Sequence, residues 1–109
     1  MLKKQFRLPA HIRLIRHQSF NSPLFLLKVS ENNLKRNRFG FVVSKKTDKR
    51  ATVRNKIRRL FRSCIEEMLS EIKTSYDMLF FLKLPILEIE RKEMYNMIYA
   101  FFKDKNLLK

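Results

Sequence analysis

Cysteine, glycine, proline and tryptophan are scarce in this sequence. Its 109 residues include one cysteine, one glycine, three prolines and no tryptophan. A single cysteine excludes an intramolecular disulfide and a zinc site made of several cysteines, and so little glycine and proline excludes collagen-like and low-complexity chains. The sequence also has no long apolar run and no apolar segment typical of a signal peptide, so we expect a cytoplasmic protein.

Acidic residues are also few, with 10 Asp and Glu against 25 Lys and Arg and a formal net charge of +15. The excess is concentrated between Lys35 and Arg62, where 12 residues are basic and only Asp48 is acidic. A folded protein with this much charge of one sign repels itself, which favours a polyanionic partner. Apolar residues nevertheless make up 45% of the chain, enough for one hydrophobic core, so we predict a single domain over residues 1–109.

The apolar patterning predicts an α+β fold, with helices packed on a small central sheet in the order α-β-β-(β)-α-β-α. The elements are expected as strands at residues 24–29, 38–44 and 76–84, and as helices after Pro9, from Val53 to Ile72 and at residues 94–102. The last strand is mostly apolar and is followed by Pro85, which stops it. The first two strands are joined by a short polar connection, so we expect them to form an antiparallel pair.

The only glycine, Gly40, lies inside the second predicted strand. Glycine weakens the interior of a strand because it has no side chain to pack. Its presence there usually marks a bulge or a close approach by another part of the chain.

The helix predicted from Val53 has different chemistry on its two sides. Its apolar residues recur every three or four positions and mark the side that packs on the core. On the other side Asn55, Arg58, Arg59 and Arg62 follow the spacing i, i+3, i+4 and i+7, so they form one continuous ridge. Further along, the same side becomes acidic, so the ridge covers only the first turns.

This order of charges is unfavourable for the helix itself. The N-terminal end of a helix is positive, and each cation there costs roughly a few tenths of a kcal/mol. A phosphate-binding surface accounts for the order, because cationic side chains and free helix N–H groups then act on the same anion. The pattern therefore favours a nucleic-acid interface, with a solvated basic face as the alternative.

A specific motif coincides with the basic ridge. The chain reads Arg54-Asn-Lys-Ile-Arg-Arg-Leu-Phe-Arg62, preceded by Val-Ser-Lys-Lys at residues 43–46. Together with the rest of residues 39–62, this segment closely resembles the signature of the bacterial ribonuclease P protein component family, whose helix motif has the form Arg-Asn-x-(Ile/Leu)-(Lys/Arg)-Arg-x-x-Arg. The matching positions are Arg54, Asn55, Ile57, Arg58, Arg59 and Arg62.

The resemblance implies a fold and a role. The fold is an α/β sandwich similar to the second domain of a small-subunit ribosomal protein, in which the motif helix makes a left-handed crossover between two parallel strands. The role is that of the non-catalytic protein subunit of ribonuclease P, an enzyme that removes the 5′ leader from precursor tRNA. The subunit binds the catalytic RNA and the leader as a monomer, and Mg²⁺ ions held mainly by the RNA hydrolyse the bond. No catalytic or metal-binding residue is therefore expected in this chain.

The resemblance and the charge pattern together assign residues to two RNA partners. Binding of the catalytic RNA is expected at Lys45, Lys46, Arg50, Arg54, Asn55, Lys56, Arg58, Arg59 and Arg62. Contact with the leader is expected at Phe25, Lys28, Phe41 and Val43.

The leader site departs from the family pattern in its aromatic residues. The family usually places two aromatics in its first helix, where this chain has Ile12 and Arg16, and Lys28 stands where an aromatic is often found on the first strand. Charge would then replace part of the base stacking, which contributes about 1–3 kcal/mol per base. For Phe25 and Phe41, ordinary core packing is the alternative.

Two other function classes and several other residues are compatible with parts of this composition. A structural RNA-binding protein of the ribosomal type has the same composition, and only an effect on precursor cleavage separates the two. A membrane-surface protein is excluded because the apolar side of the basic helix is needed for the core. His11 and His17 have no carboxylate companion, which argues against catalysis. The remaining candidates are expected to be solubilising charge at Glu66, Glu67 and Glu71 and an inert core thiol at Cys64.

Overall fold

A mixed sheet of four strands and two α-helices make up the computed structural model, which describes residues 3–8, 14, 16–83 and 89–109. The elements are β1 Gln18–Asn21, β2 Phe25–Glu31, β3 Arg38–Val42, α1 Ala51–Met68, β4 Tyr76–Leu82 and α2 Arg91–Asp104, with short 3-10 turns at Lys4–Phe6 and Leu69–Glu71. The predicted α+β class is confirmed. Two expected features, the helix after Pro9 and the strand stop at Pro85, lie outside the described residues.

The strands are arranged in the order β1-β2-β4-β3. β2 is antiparallel to β1 and to β4, whereas β3 is parallel to β4. The expected pairing of β2 with β3 is therefore wrong, because β4 lies between them. The middle position suits β4, since Met78 and Phe80 are buried on one face while Leu79 and Phe81 are half-buried on the other, and an inner strand needs apolar residues on both faces.

α1 connects the parallel strands β3 and β4, as the resemblance implied. Parallel neighbours cannot be joined by a tight turn, so the chain leaves the sheet and returns through the helix. Ile57, Phe61 and Ile65 of α1 are completely buried in this arrangement. The left-handedness of the crossover stays a prediction.

Phenylalanines from three elements form the centre of the core. The ring of Phe25 in β2 lies 5.4 Å from that of Phe61 in α1 and 5.3 Å from that of Phe80 in β4, and the last two are 5.0 Å apart. Phe25 meets both of its neighbours edge to face, an arrangement that the aromatic quadrupole favours. Phe25 also lies 4.8 Å from Phe101 of α2, so both helices pack on the same face of the sheet.

The two amphipathic helices match the predicted apolar patterns. The first ends at Met68 and continues as a 3-10 turn, so Ile72 is buried beyond the helix and not within it. In α2 the buried residues are Met94, Ile98 and Phe102. Cys64 is completely buried in α1, and burial raises the pKa of its thiol, which agrees with an inert core role.

Sequence analysis missed β1, which has only four residues, three of them exposed. A tight turn at Ser22 joins β1 to β2. The hydroxyl oxygen of Ser22 accepts hydrogen bonds from the backbone N–H groups of Leu24 and Phe25, each at 3.2 Å. A serine in this position does not by itself predict a hairpin. The sequence of β1 also lacks the alternation of apolar and polar residues that predicts a strand.

Gly40 lies where the N-terminal segment comes close to β3, as its position in a strand suggested. The backbone N–H of Leu8 donates to the carbonyl oxygen of Phe39 at 2.8 Å. A Cβ on Gly40 would lie 2.7 Å from Cδ1 of Leu79 and 3.3 Å from Cδ1 of Leu8. Because Gly40 has no side chain, the side chains of Leu79 and Leu8 can both pack against its backbone.

A buried polar cluster joins the start of β3 to the start of β4. The guanidinium of Arg38 donates to both carboxylate oxygens of Asp77, at 2.8 and 2.7 Å, and the side-chain amide of Asn32 donates to the same carboxylate at 3.0 Å. The amide of Asn37 donates to the carbonyl oxygen of Lys73 at 2.6 Å. Because Asp77 and Asn37 are only 5% and 2% exposed, these bonds replace water that the groups have lost.

We predict that Asp77→Ala lowers the free energy of unfolding by about 2–3 kcal/mol, because it leaves the donors of Arg38 and Asn32 without their acceptor. The loss stays below that of a fully buried pair because a quarter of the Arg38 side chain is exposed. Urea unfolding measures it. The matched control is Asp104→Ala, whose ion pair with Lys105 is at the surface and whose effect should stay within about 0.5 kcal/mol. Equal losses in both variants would contradict the prediction.

Candidate nucleic-acid interface

The basic ridge, formed by Asn55, Arg58, Arg59 and Arg62, lies on the side of α1 that faces away from the core. Asn55 and Arg59 are exposed, and Arg58 and Arg62 are half-buried. The predicted spacing therefore does bring these four side chains to one surface. The exposed Lys56 lies beside it.

The N-terminal end of α1 is not capped by a side chain. The residue before the helix is Arg50, which makes no side-chain capping bond, and the first turn contains no acidic residue. The first N–H groups of a helix have no partner within the helix. Unpaired N–H groups and cationic side chains thus point to the same region, which is the arrangement that binds an anion.

Arg58 is held by a neighbouring residue of the ridge and not by a carboxylate. The guanidinium of Arg58 donates a short hydrogen bond to Oδ1 of Asn55, which orients it along the helix. Within the described part of the chain, no ion pair to a carboxylate involves Arg58 or Arg59. Their charges are therefore available to an outside partner.

Arg62 joins the ridge to the edge of the sheet. Its guanidinium lies 5.6 Å from the centre of the Phe41 ring, a distance typical of a cation–π contact. Partial burial lowers the pKa of Arg62, and the positive charges of Arg7 and Arg58 lower it further, while Glu66 acts in the opposite direction. The positive charges of Arg7 and Arg58 therefore act on Arg62 at this corner of the molecule.

The loop between β3 and α1 presents the two predicted lysines Lys45 and Lys46. Both are exposed in a turn in which the backbone N–H of Thr47 donates to the carbonyl oxygen of Ser44 at 3.0 Å. The hydroxyl groups of Ser44 and Thr47 are 3.2 Å apart and share a hydrogen bond. The turn thus holds the lysines next to the start of the helix.

Asp48, the only acid in the basic segment, is paired with Arg50. Their side-chain oxygen and nitrogen atoms come within 3.0 Å of each other, and the backbone N–H of Arg50 also donates to the carboxylate at 2.8 Å. The side-chain hydrogen bond from Arg50 is the largest cause that lowers the pKa of Asp48, to about 2. The ionised carboxylate therefore persists as pH falls below its ordinary pKa and is lost only near pH 2.

Arg54 has a different position from the ridge arginines. Its guanidinium donates to the carbonyl oxygens of Asp48 at 3.0 Å and Lys49 at 2.8 Å. It therefore closes the loop that precedes α1. The expected contact of Arg54 with RNA stays a prediction, but this structure gives the side chain an internal role.

The residues expected to contact a leader do not form one surface. Phe25 is 1% exposed and belongs to the core, which contradicts the expectation that it meets a leader; Val43, at 6%, is buried in the same way. Phe41 is half-buried on the helix side, stacked on Phe80 at 5.6 Å. Only Lys28 lies on the opposite face. Core packing was the alternative for the two phenylalanines, and it holds fully for Phe25.

We call the face of the sheet that points away from α1 and α2 the distal face. In the inner part of the sheet it carries alternate residues of three strands: Leu26, Lys28, Gly40, Val42, Leu79 and Phe81. Phe81 is half-buried on this face, and this position was not predicted from the sequence. The signal was the adjacent pair Phe80 and Phe81, since neighbouring residues of a strand point to opposite faces.

Three of the remaining polar candidates, His17, Glu67 and Glu71, have other partners in the structure. The Nδ1 atom of His17 is 2.8 Å from the carbonyl oxygen of Leu14, and His11 lies outside the described residues. Glu67 pairs with Arg91 at 3.1 Å, and Glu71 accepts a hydrogen bond from Tyr99. Within the described ranges, no three His, Cys, Asp or Glu side chains come together as metal ligands. No helix there is both long and apolar enough to cross a membrane.

Comparison with known proteins identifies relatives over most of the chain. A family model described as Ribonuclease P matches residues 3–106. The ribonuclease P protein component of Marinomonas sp. (strain MWYL1) is 30% identical over 103 residues, which cover 84% of this chain and 77% of that protein. The ribonuclease P protein component of Thermoanaerobacter sp. (strain X514) is 41% identical over 66 residues, or 61% of this chain and 56% of that protein.

Solved structures share the fold. The RNase P protein of Staphylococcus aureus superposes with a TM-score of 0.72 at 23% identity, covering 85% of this chain and 84% of that one. The RNase P protein of Thermotoga maritima gives a TM-score of 0.73 at 20% identity, with coverages of 81% and 83%. The mixed sheet and its two helices are therefore the architecture of these proteins.

We predict that Arg54→Ala lowers the free energy of unfolding by about 1 kcal/mol, because two hydrogen bonds from a charged donor to the loop are lost. The matched control is Arg59→Ala, which removes an exposed arginine from the same helix and should change stability by less than about 0.5 kcal/mol. Chemical denaturation followed by circular dichroism measures both. A destabilised Arg59→Ala with an unaffected Arg54→Ala would contradict the assigned roles.

Proposed function

This chain belongs to the ribonuclease P protein family and is a subunit of ribonuclease P, and from that premise we propose that it binds the catalytic RNA through the basic ridge and assists removal of the 5′ leader from precursor tRNA. The ridge is completed by the exposed lysines of the loop before α1 and by Lys56. The protein acts as a monomer within the holoenzyme, in the cytoplasm, where its RNA partners are found.

This proposal rests on arginines of the ridge whose positive charges are available to an outside partner. Arg58 and Arg59 share one side of α1 without carboxylate partners in the described part of the chain, next to an uncapped helix N-terminus. Guanidinium groups bind phosphates with two parallel hydrogen bonds, and helix N–H groups add further donors. Such a surface fits the phosphate backbone of a folded RNA better than a particular base sequence.

The chemical step belongs to the RNA in this proposal. As the family resemblance implies, Mg²⁺ ions would be held by the catalytic RNA and would support hydrolysis of the leader bond there. We assign no catalytic residue to this chain. Its contribution is to reduce the repulsion between two RNA molecules and to hold the precursor in place.

Contact with the leader is expected on the distal face, where Lys28 lies. Phe41 lies on the helix side under Arg62, so we place it with the surface that binds the catalytic RNA. The leader and the catalytic RNA thus meet different sides of the sheet. This separation allows one small protein to bind both RNAs at once.

Reconstitution with a bacterial ribonuclease P RNA tests the proposal. We expect the protein to lower the Mg²⁺ concentration needed for precursor cleavage, because its cations screen RNA–RNA repulsion. We also expect tighter binding of precursor than of mature tRNA, because only the precursor has a leader. Equal affinity for the two tRNAs with no effect on cleavage would instead indicate a structural RNA-binding protein of the ribosomal type.

The ridge itself is tested by the salt dependence of binding to the catalytic RNA. Arg58→Ala with Arg59→Ala should weaken binding and reduce the slope of log K against log salt by about one to two units, because each lost phosphate contact removes about one released counterion. The matched control is Lys92→Ala with Lys103→Ala, which removes the same charge from α2. If both pairs change the slope equally, net charge and not the ridge accounts for binding.

A further inference from the structure

An open cleft of about 470 Å³ lies between the N-terminal segment, the loop from β2 to β3 and the end of α1. Its volume is within the range of about 300–1,000 Å³ that is typical of small-ligand sites. Phe6 and Leu69 form its apolar part. Both are half-buried and also pack against the hydrophobic core, so the core supports the aromatic ring that lines the cleft.

Two exposed cations of the loop from β2 to β3, Lys35 and Arg36, line the same cleft. The Nε–H group of Arg36 donates to the carbonyl oxygen of Gln5 at 2.8 Å, which joins the loop to the segment that carries Phe6. The side-chain amide of Asn32 donates to the carbonyl oxygen of Arg36 at 3.1 Å and fixes the loop itself. The ring and the two cations are therefore held together before a ligand binds.

Polar side chains complete the cleft, namely Glu66 near the end of α1 and the hydroxyl groups of Ser70 and Thr74. A carboxylate accepts hydrogen bonds from the amino group of a base, and hydroxyl groups bond to base edges or to a ribose 2′-OH. A ring with cations beside it binds a nucleotide, because the base stacks and the phosphate is neutralised. The lining of this cleft has both parts of that combination.

The cleft adjoins the basic ridge. Glu66 follows Arg62 by four residues in α1, so the two lie on the same side of the helix. Partial burial is the largest cause that lowers the pKa of Arg62, and the charges of Arg7 and Glu66 also act on it. Arg7 is the residue after Phe6. An RNA strand bound along the ridge therefore reaches the cleft at the end of the ridge.

We propose that the cleft binds one unpaired nucleotide of the catalytic RNA, with its base against the ring of Phe6 and its phosphate on Lys35 and Arg36; this rests on the proposed function and adds a nucleotide contact to the phosphate contacts of the ridge. Phosphates carry no sequence information, so the ridge alone binds many positions of an RNA. The cleft requires an unstacked base at a fixed distance from the strand that the ridge binds. It thereby determines where on the RNA the protein binds.

The test is chemical probing of a bacterial ribonuclease P RNA, saturated with the protein, by reagents that modify unpaired bases. We expect the unmodified protein to protect one unpaired base and Phe6→Leu, which lacks the stacking surface, to leave it reactive. Phe6→Leu should also bind the RNA about tenfold more weakly, within the range of one lost base–aromatic stack. Its salt slope should stay unchanged, because no phosphate contact is lost. Phe6→Tyr, which keeps the ring, should restore affinity and protection.

The matched control for Phe6→Leu is Phe20→Leu. Phe20 is also a half-buried phenylalanine that packs against the core, but it lies in β1 at the other edge of the sheet. This variant should keep the affinity and the protected base. Protection that persists in Phe6→Leu, or an equal loss in both variants, would overturn the proposal.

The phosphate contact is tested separately by Lys35→Ala, a change of an exposed side chain that leaves the core intact. It should reduce the slope of log K for the catalytic RNA against log salt by about one unit. Lys92→Ala, which removes the same charge from α2, should leave the slope as it is. A slope that Lys35→Ala does not change would overturn the assignment of the phosphate to the cleft.

A free nucleotide has the same chemistry as an unpaired nucleotide of the RNA. Equilibrium dialysis of the protein alone with each of the four ribonucleoside monophosphates distinguishes the two sources. We expect no binding at micromolar concentrations, because a free nucleotide lacks the contacts of the ridge. Micromolar binding of one of them, with no base of the RNA protected, would assign the cleft to a free nucleotide and overturn the RNA contact.

The proposed function and this contact fail in different ways. If the unmodified protein does not bind the ribonuclease P RNA, both fail. If it binds that RNA with a salt slope that depends on Arg58 and Arg59, and protects no unpaired base, only the assignment of the cleft is wrong.

Discussion

The contact of Phe61 with Phe25 and Phe80 is the interaction on which the rest of this molecule depends. It fixes the rotation of α1 about its own axis against the sheet. Because successive helix residues turn by about 100°, Arg62 then lies over the edge of the sheet, and Arg59 points away from the core. The interaction that stabilises the fold thus also determines the direction in which the cations point.

Helices and most strands could be predicted from the sequence, because the apolar pattern of each lies within its own residues. Which strands pair with each other could not be predicted in this way. The period of apolar residues in α1 and α2 is contained within each helix, so both were found with their buried sides. β2 and β3 are close in sequence and were expected to pair, but the middle of the sheet is taken by β4, which comes after α1. Its place follows from the need to cover both of its apolar faces, a property of the assembled layers.

The same limit applies to the site. Arg54 and Arg59 are the same residue type on one helix, and only the folded loop shows that Arg54 is held by backbone carbonyl oxygens. Phe25 and Phe81 differ in the same way. A shift of one position along a strand exchanges the two faces of a sheet, so composition alone could not tell a core ring from a ring on the distal face. The continuous ridge needed only helical spacing, and it was found.

The central place of β4 has a consequence for how the chain assembles during synthesis. Among the strands that the structure describes, β4 is the last to leave the ribosome, yet both β2 and β3 need it as their neighbour. Until it emerges, two inner strand edges remain unpaired and the rings of Phe25 and Phe39 lack their cover, a condition that favours aggregation. These edges and rings are therefore covered only once the final third of the chain has been translated.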